Sequence, residues 1–473
     1  MWLLASAALG GLFGCTGEAG RAEPAPSADT RPNVVVVLVD DMRWDDYGAA
    51  GHAFVETPNI DRIAREGTTF VNAFTVTPLC SPSRASFLTG LYPHAHGIID
   101  NTSRGPRSHE LDTFPRRLRA AGYETAFVGK WHMGRDDSAR PGFDFWVSMQ
   151  GQGRNVNPTI IESDRRAEVQ GHVTGIFTER AIEFLERDRD GPFLLYLAHK
   201  ALHPGRGGLV EGVFTASASH AGRYQNAPIE RRRPNYGIAP TDKPALLRLI
   251  DDLPPLGAET VTPDATIRNR AEMLLGVDES LGQILETLEA KALLDETVVV
   301  VTSDHGYFYG EHGLNAERRF AYEESIRIPF LIRYPALAKP GTSAEKLVLS
   351  IDLAATLLEL GGASTEGVQG RTLTPVLAGD ASDWRSSFVI EHHTDPESYL
   401  GRSPLRRARN MGYRALRTGR YKYIHYTELE GMDELYDLER DPYELENIID
   451  SPEAQDTLGF MKSELGRLLD STT

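Results

Sequence analysis

Asn33-Val34-Val35-Val36-Val37-Leu38-Val39, closed by Asp40-Asp41, is the stretch on which the fold turns. A strand with one face in water alternates polar and apolar residues. This one does not, as expected of a strand buried on both faces of a parallel sheet. Comparable runs occupy 124–128, 193–197 and 297–302, and helical periodicity covers 59–66, 114–121, 178–187 and 269–288 between them. Strand alternating with helix predicts an α/β fold: a large mixed, mostly parallel sheet flanked by helices.

Ligands of such sheets bind beyond the carboxyl ends of the strands. Working outward from Asp40-Asp41, the later runs end in Lys130 and His132, in His199 and His203, and in Asp304-His305. Buried strands that end repeatedly in carboxylates, Lys and His predict one site. Asp40, Asp41 and Asp304, brought together without a counterion, would repel and raise one another's pKa. A hard divalent cation resolves this, and oxygen ligands favour calcium or magnesium. The bland alternative for an Asp-Asp pair is a helix N-cap or a turn.

With 473 residues, the chain predicts one large domain and a smaller one. Net charge −17 argues against a nucleic-acid partner, so an anionic substrate needs a local cluster of cations in a cleft. After Gly370 the texture changes to short strands over 388–391, 413–416 and 421–426 and a helix over 451–469. The expected organisation is therefore 31–370 as the main domain and 371–473 as a C-terminal α+β subdomain with an antiparallel sheet. Residues 205–263, rich in Gly, Pro and Arg, read as an insertion over the cleft, a substrate lid or a solvated charge run.

Met1 to Gly14 is apolar and meets Cys15. That resembles a bacterial lipoprotein signal, with lipid on Cys15, residues 15–30 as a flexible tether, and export to the outer membrane. The n-region lacks the usual Lys or Arg, and an ordinary signal peptide to the periplasm or medium is the alternative. No later apolar run is long enough to cross a bilayer.

Cys80 and Cys15 are the two cysteines, so the mature body has no internal disulfide framework. The run Cys80-Ser81-Pro82-Ser83-Arg84-Ala85-Ser86-Phe87-Leu88-Thr89-Gly90 resembles the signature of the type I sulfatases, members of the alkaline phosphatase superfamily. The resemblance implies that a formylglycine-generating enzyme oxidises Cys80 to Cα-formylglycine, whose hydrate is the nucleophile; the rival is a passive buried thiol. Gly129-Lys130-Trp131-His132-Met133-Gly134, Ser303-Asp304-His305-Gly306 and Tyr322-Glu323-Glu324-Ser325-Ile326-Arg327 are similar to further family segments. Lys200-Ala201-Leu202-His203-Pro204 aligns with another, with Leu202 in place of Pro. The likeness runs from Arg31 to about Ile448.

On this resemblance Asp40, Asp41, Cys80, Asp304 and His305 ligate calcium. Arg84, one helical turn past Cys80, holds sulfate oxygens; Lys130 grips nucleophile and sulfate; His132 is a base; His203 protonates the leaving oxygen. The family places a Lys shortly before Tyr322. Counting back from Tyr322 gives Arg318, counting forward from Gly313 gives Glu317, and Arg318 is preferred. Tyr92-Pro93-His94-Ala95-His96-Gly97 and Gly151-Gln152-Gly153 resemble bacterial relatives of N-acetylglucosamine-6-sulfatase. They suggest a sulfated carbohydrate as substrate, with His94, Gln152 and His199 as contacts; His199 also reads as a core histidine. Two alternatives stay open: a phosphonate or phosphate monoester hydrolase, and a non-catalytic glycan-binding lipoprotein.

Overall fold

The computed structural model describes residues 30–472 apart from 103–104, 135, 137, 206–212, 231–232, 251–252 and 395–403. The expected signal segment 1–14, Cys15 and all of the tether but Thr30 lie outside the described residues, as do Arg231 and Arg232.

The valine run is β1 (Asn33–Val39), and every residue of it is buried. It lies between two parallel neighbours, β8 (Phe193–Ala198) and β9 (Thr297–Ser303). Outward from β8 come β4 (Glu124–Gly129), β5 (Phe145–Met149), β6 (Thr159–Glu162) and β7 (Arg165–Glu168). On the other side come β10 (Phe330–Arg333), β2 (Thr68–Phe70) and β11 (Thr342–Ala344), completing a ten-stranded sheet. β4, β5, β8, β1 and β9 are parallel, whereas β6, β7 and β10 pair antiparallel. The sheet is thus mixed and mostly parallel at its centre.

Alternation along β1 sends Val35, Val37 and Val39 to one face and Val34, Val36 and Leu38 to the other. The first face packs against the helices Pro58–Glu66, Val173–Glu186 and Asp264–Ala290. The second packs against Phe114–Ala120 and Asp352–Leu360. At about 1.5–3 kcal/mol per buried aliphatic side chain, this double burial anchors the centre of the sheet. The charged strand ends inherit that rigidity.

Two helices begin earlier than their periodicity suggests. Val173–Glu186 starts where the His172 side chain accepts from the Thr174 amide, and Asp264–Ala290 starts after Pro263. A short parallel pair joins β3 (Ala73–Phe74) to β12 (Val348–Leu349). The C-terminal antiparallel sheet runs β13 (Ser387–His392), β14 (Tyr413–Thr418), β15 (Tyr421–Tyr426) and β16 (Glu434–Asp437), and the helix Gln455–Thr472 packs on it.

The described part of 205–263 is a pinned strap. Tyr224 accepts from the Glu56 amide at 3.0 Å, Asn235 donates to Glu324 at 3.0 Å, and Lys243 donates to the Tyr436 hydroxyl at 2.6 Å. Arg233 is paired with Asp45 and stacks over Trp44. The solvated-run reading fails at Arg233 because a carboxylate and an indole face wait for it.

Candidate active site

Cys80 opens the helix Cys80–Thr89, all of whose residues are buried. Three of its side chains tie it to strand ends. The Ser81 hydroxyl donates to the His132 carbonyl, Ser83 Oγ to the Asp304 carbonyl at 2.6 Å, and Arg84 Nη1 to the Lys130 carbonyl at 2.7 Å. The polar residues of this motif hold backbone, which is why a buried helix can carry them.

Glycine is needed just before Lys130. Gly129 ends β4 at φ 132°, and a Cβ there would lie 2.0 Å from the Ala198 carbonyl oxygen. Only a residue without a side chain lets β4 close on β8 and deliver Lys130. Asp41 and His132 are non-glycine residues with positive φ, 63° and 59°, so the chain is held in a disfavoured conformation at two site positions.

The carboxylates and cations interleave. Arg84 reaches Asp304 at 3.0 Å and Asp40 at 3.4 Å, Lys130 pairs with Asp40, and Arg318 Nε pairs with Asp41 at 2.9 Å. Arg318 Nη2 lies 3.5 Å from Cys80 Sγ, and His305 Nε2 lies 3.2 Å from it. Glu317 turns away, with Arg407 at 3.9 Å. Ligand atoms of Asp41, Cys80 and His305 lie within 4.8 Å of one another, as do those of Asp40, Cys80 and Asp304.

Burial works to raise the Asp40 carboxyl, but Lys130 and Arg84 hold it well below the usual carboxylate range. Burial, which His305 only partly offsets and Asp40 reinforces, raises Asp304. Against burial, Asp304 and Cys80 push the His305 imidazole up to about 9. His132 and His203 go the other way: burial first, then Lys130, holds both well below the ordinary histidine value. His132 Nδ1 and His203 Nε2 are buried with no protein hydrogen-bond partner.

A divalent cation fits these donors. Asp41 Oδ2 is buried without a hydrogen bond, and Asp40 Oδ1 has only the Arg84 guanidinium, at 3.4 Å. Hard oxygen atoms left short of hydrogen bonds on two neighbouring buried carboxylates, with Asp304 beside them, are what such an ion satisfies.

Of the three expected substrate contacts, His94 is used elsewhere. Its Nδ1 faces Glu391 at 3.0 Å and its Nε2 faces the Thr472 carbonyl at 3.0 Å, so it anchors the C-terminal helix and has no ring nitrogen left for a sugar. His199 is wholly buried, and His172 is the charge that acts on it after burial itself. Gln152 keeps a buried Oε1 without a partner. Sequence reasoning missed Ser81, Ser83, Lys200 and Arg270 as site residues. The first three sit inside quoted motifs; Arg270 lies within a long helix and gave no signal.

Comparisons with known proteins show the family. Residues 32–363 match the family described as Sulfatase, and residues 310–471 match N-sulphoglucosamine sulphohydrolase, C-terminal. The chain is 31% identical to the N-acetylglucosamine-6-O-sulfatase of Bacteroides thetaiotaomicron, over 96% of this chain and 88% of that protein. A solved structure of a protein in complex with its substrate D-glucosamine-2-N,6-O-disulfate superposes with TM-score 0.78 at 28% identity, covering 93% and 98% of the two chains. The phosphonate monoester hydrolase of Agrobacterium radiobacter shares the fold, with TM-score 0.71 at 23% identity and 94% and 96% coverage. With the family match over residues 32–363 and a 31% identical relative covered to 88%, the chain belongs to the sulfatase family and is a sulfuric ester hydrolase.

Proposed function

We propose that the enzyme removes sulfate from a sulfated carbohydrate, of the 6-O-sulfated glucosamine type, with residue 80 matured to Cα-formylglycine and calcium held by Asp40, Asp41, Asp304 and His305. The observation that carries this reading is Cys80 Sγ lying within reach of Arg318, His305, Asp40 and Asp304 at once. In this arrangement Sγ stands for the oxygens of matured residue 80. The aldehyde, once hydrated, would supply a nucleophilic hydroxyl at that point, and the cation would supply positive charge beside the sulfate.

The side chains do the rest. Arg84, Lys130 and Arg318 hold the sulfate oxygens and stabilise negative charge developing on them. Arg318 offers a planar two-pronged grip and keeps its proton, so the leaving oxygen takes its proton from His203 Nε2. Burial, Lys130 and Lys200 keep His203 neutral in the free protein; an anionic ester beside it reverses that field and favours the protonated ring. His132 Nδ1 takes a proton from residue 80 in the return half of the cycle.

The sugar assignment draws on the relatives' names and on local cations within a chain of net charge −17. The reading includes residues 371–473 as a C-terminal subdomain, a formylglycine-generating partner, and export with a lipid anchor at Cys15. Among the described residues, no helix is long and apolar enough to cross a membrane.

Peptide mass analysis of the Cys80 segment from native material, with release rates from matched sulfate, phosphate and phosphonate esters of glucosamine derivatives, tests the reading. An aldehyde and dominant sulfate release are expected. Dominant phosphoryl release, or binding of sulfated glycan without release by matured protein, would overturn it.

A further inference from the structure

The turn that carries His203 is held by two buried basic side chains, neither of which touches sulfate or the leaving oxygen in the chemistry above. Lys200, wholly buried just past β8, donates through Nζ to the Pro204 carbonyl at 2.6 Å and to the His203 carbonyl at 3.3 Å. Arg270, wholly buried in the helix Asp264–Ala290, donates Nη1 to the Leu202 carbonyl at 3.3 Å and Nη2 to the Asp41 carbonyl at 2.6 Å. Three successive carbonyls, those of Leu202, His203 and Pro204, each meet a buried cation. The same turn exchanges backbone bonds with the end of β1, from the Asp40 amide to the Ala201 carbonyl at 2.8 Å and from the Leu202 amide to the Asp40 carbonyl at 2.6 Å.

The Pro204 carbonyl is the pivotal atom. It accepts from Lys200 Nζ and also lies 3.0 Å from His203 Nδ1. An imidazole whose Nδ1–H is committed to a carbonyl has its tautomer and its ring orientation fixed, and Nε2 is the atom left facing the reaction. Burying an ammonium is costly, and no carboxylate pairs with Lys200 among the described residues; the carbonyls are what it holds. Arg270 is itself locked, stacked over the Tyr307 ring at 4.0 Å with Asp46 at 3.7 Å.

We propose that Lys200 and Arg270 are positioning residues: Lys200 sets the tautomer and direction of the His203 imidazole, and Arg270 keeps that turn in register with the Asp40-Asp41 carboxylates. The inference rests on His203 being the proton donor, and the test separates the two.

The first measurement needs no turnover. In the matured, calcium-loaded enzyme with 15N-labelled histidine, the His203 signals are identified by their loss in His203→Ala. One tautomer with Nδ1 protonated is expected, and Lys200→Met is expected to replace it with tautomers in exchange. An unchanged His203 signal in Lys200→Met would overturn the proposal. If Lys200→Met does not fold, Arg270→Lys, which keeps the charge but shortens the reach, is read in the same way.

The second measurement is a double-mutant cycle on D-glucosamine-2-N,6-O-disulfate. Lys200→Met is expected to lower kcat about a hundredfold with little change in KM, and to cost nothing more once His203 is alanine. Lys200→Arg should recover part of the loss. Equal losses in both backgrounds would make Lys200 merely structural. Full activity of His203→Ala alone would instead remove the acid assignment and leave the tautomer result standing.

Discussion

Ser83 Oγ donates to the Asp304 carbonyl at 2.6 Å, so the helix that begins with Cys80 is bonded directly to the backbone of a carboxylate in the cluster. The proposed nucleophile and the proposed cation site are therefore one unit. Ser83→Ala leaves that carbonyl buried and short of a donor, a loss of about 1–3 kcal/mol. It should also weaken calcium binding about tenfold, as losing an outer partner of a ligand does. Calorimetric titration of both proteins checks this, and equal affinities would count against a shared unit.

Chelation should soften the protein. A ligand that binds only the folded state stabilises by about 2.7 kcal/mol at a hundred times its Kd. With chelator the buried Asp41 Oδ2 again lacks a partner. The melting temperature should fall by several degrees and return with calcium more fully than with magnesium. A melting curve indifferent to chelator would remove the cation from the proposal.

Cys80→Ser keeps a hydroxyl in place but has no second oxygen with which to expel sulfate. It is expected to accept one sulfate and stop, visible as an intact-protein mass shift of one sulfate group. Sustained turnover by this variant would exclude the aldehyde route.

His94 links pH to the C-terminal helix. Its hydrogen bond to Glu391 raises its pKa above the ordinary value of 6.5, with burial opposing. A histidine raised on folding contributes fully below its unfolded pKa and loses that contribution as pH rises through the folded value. Wild type should therefore exceed His94→Gln in melting temperature most at pH below about 6, with the gap closing above neutrality. A gap that widens with rising pH would sink the assignment.

Gly129→Ala should cost at least about 3 kcal/mol, combining disfavoured φ with a clash on the Ala198 carbonyl. Denaturant unfolding reads it directly; a loss under about 1 kcal/mol would mean β4 can shift without disturbing Lys130.

The legible parts of this molecule were those whose cause is local. β1, β4, β8 and β9 announce themselves as short runs with an apolar centre, and their polar ends follow in the same few residues. Arg270 is invisible because its partners, Asp41 and Leu202, are backbone carbonyls far away in sequence. His94 looked like a wall residue because nothing near it foretells Glu391 and Thr472 closing on both nitrogens. The strap around Arg233 read as loose for the same reason: Asp45 and Trp44 are remote until the chain folds.

Ser81, Ser83 and Arg84 grip main-chain oxygens, which every residue type has. The frame of the reaction centre is thus insulated from side-chain turnover in the surrounding loops.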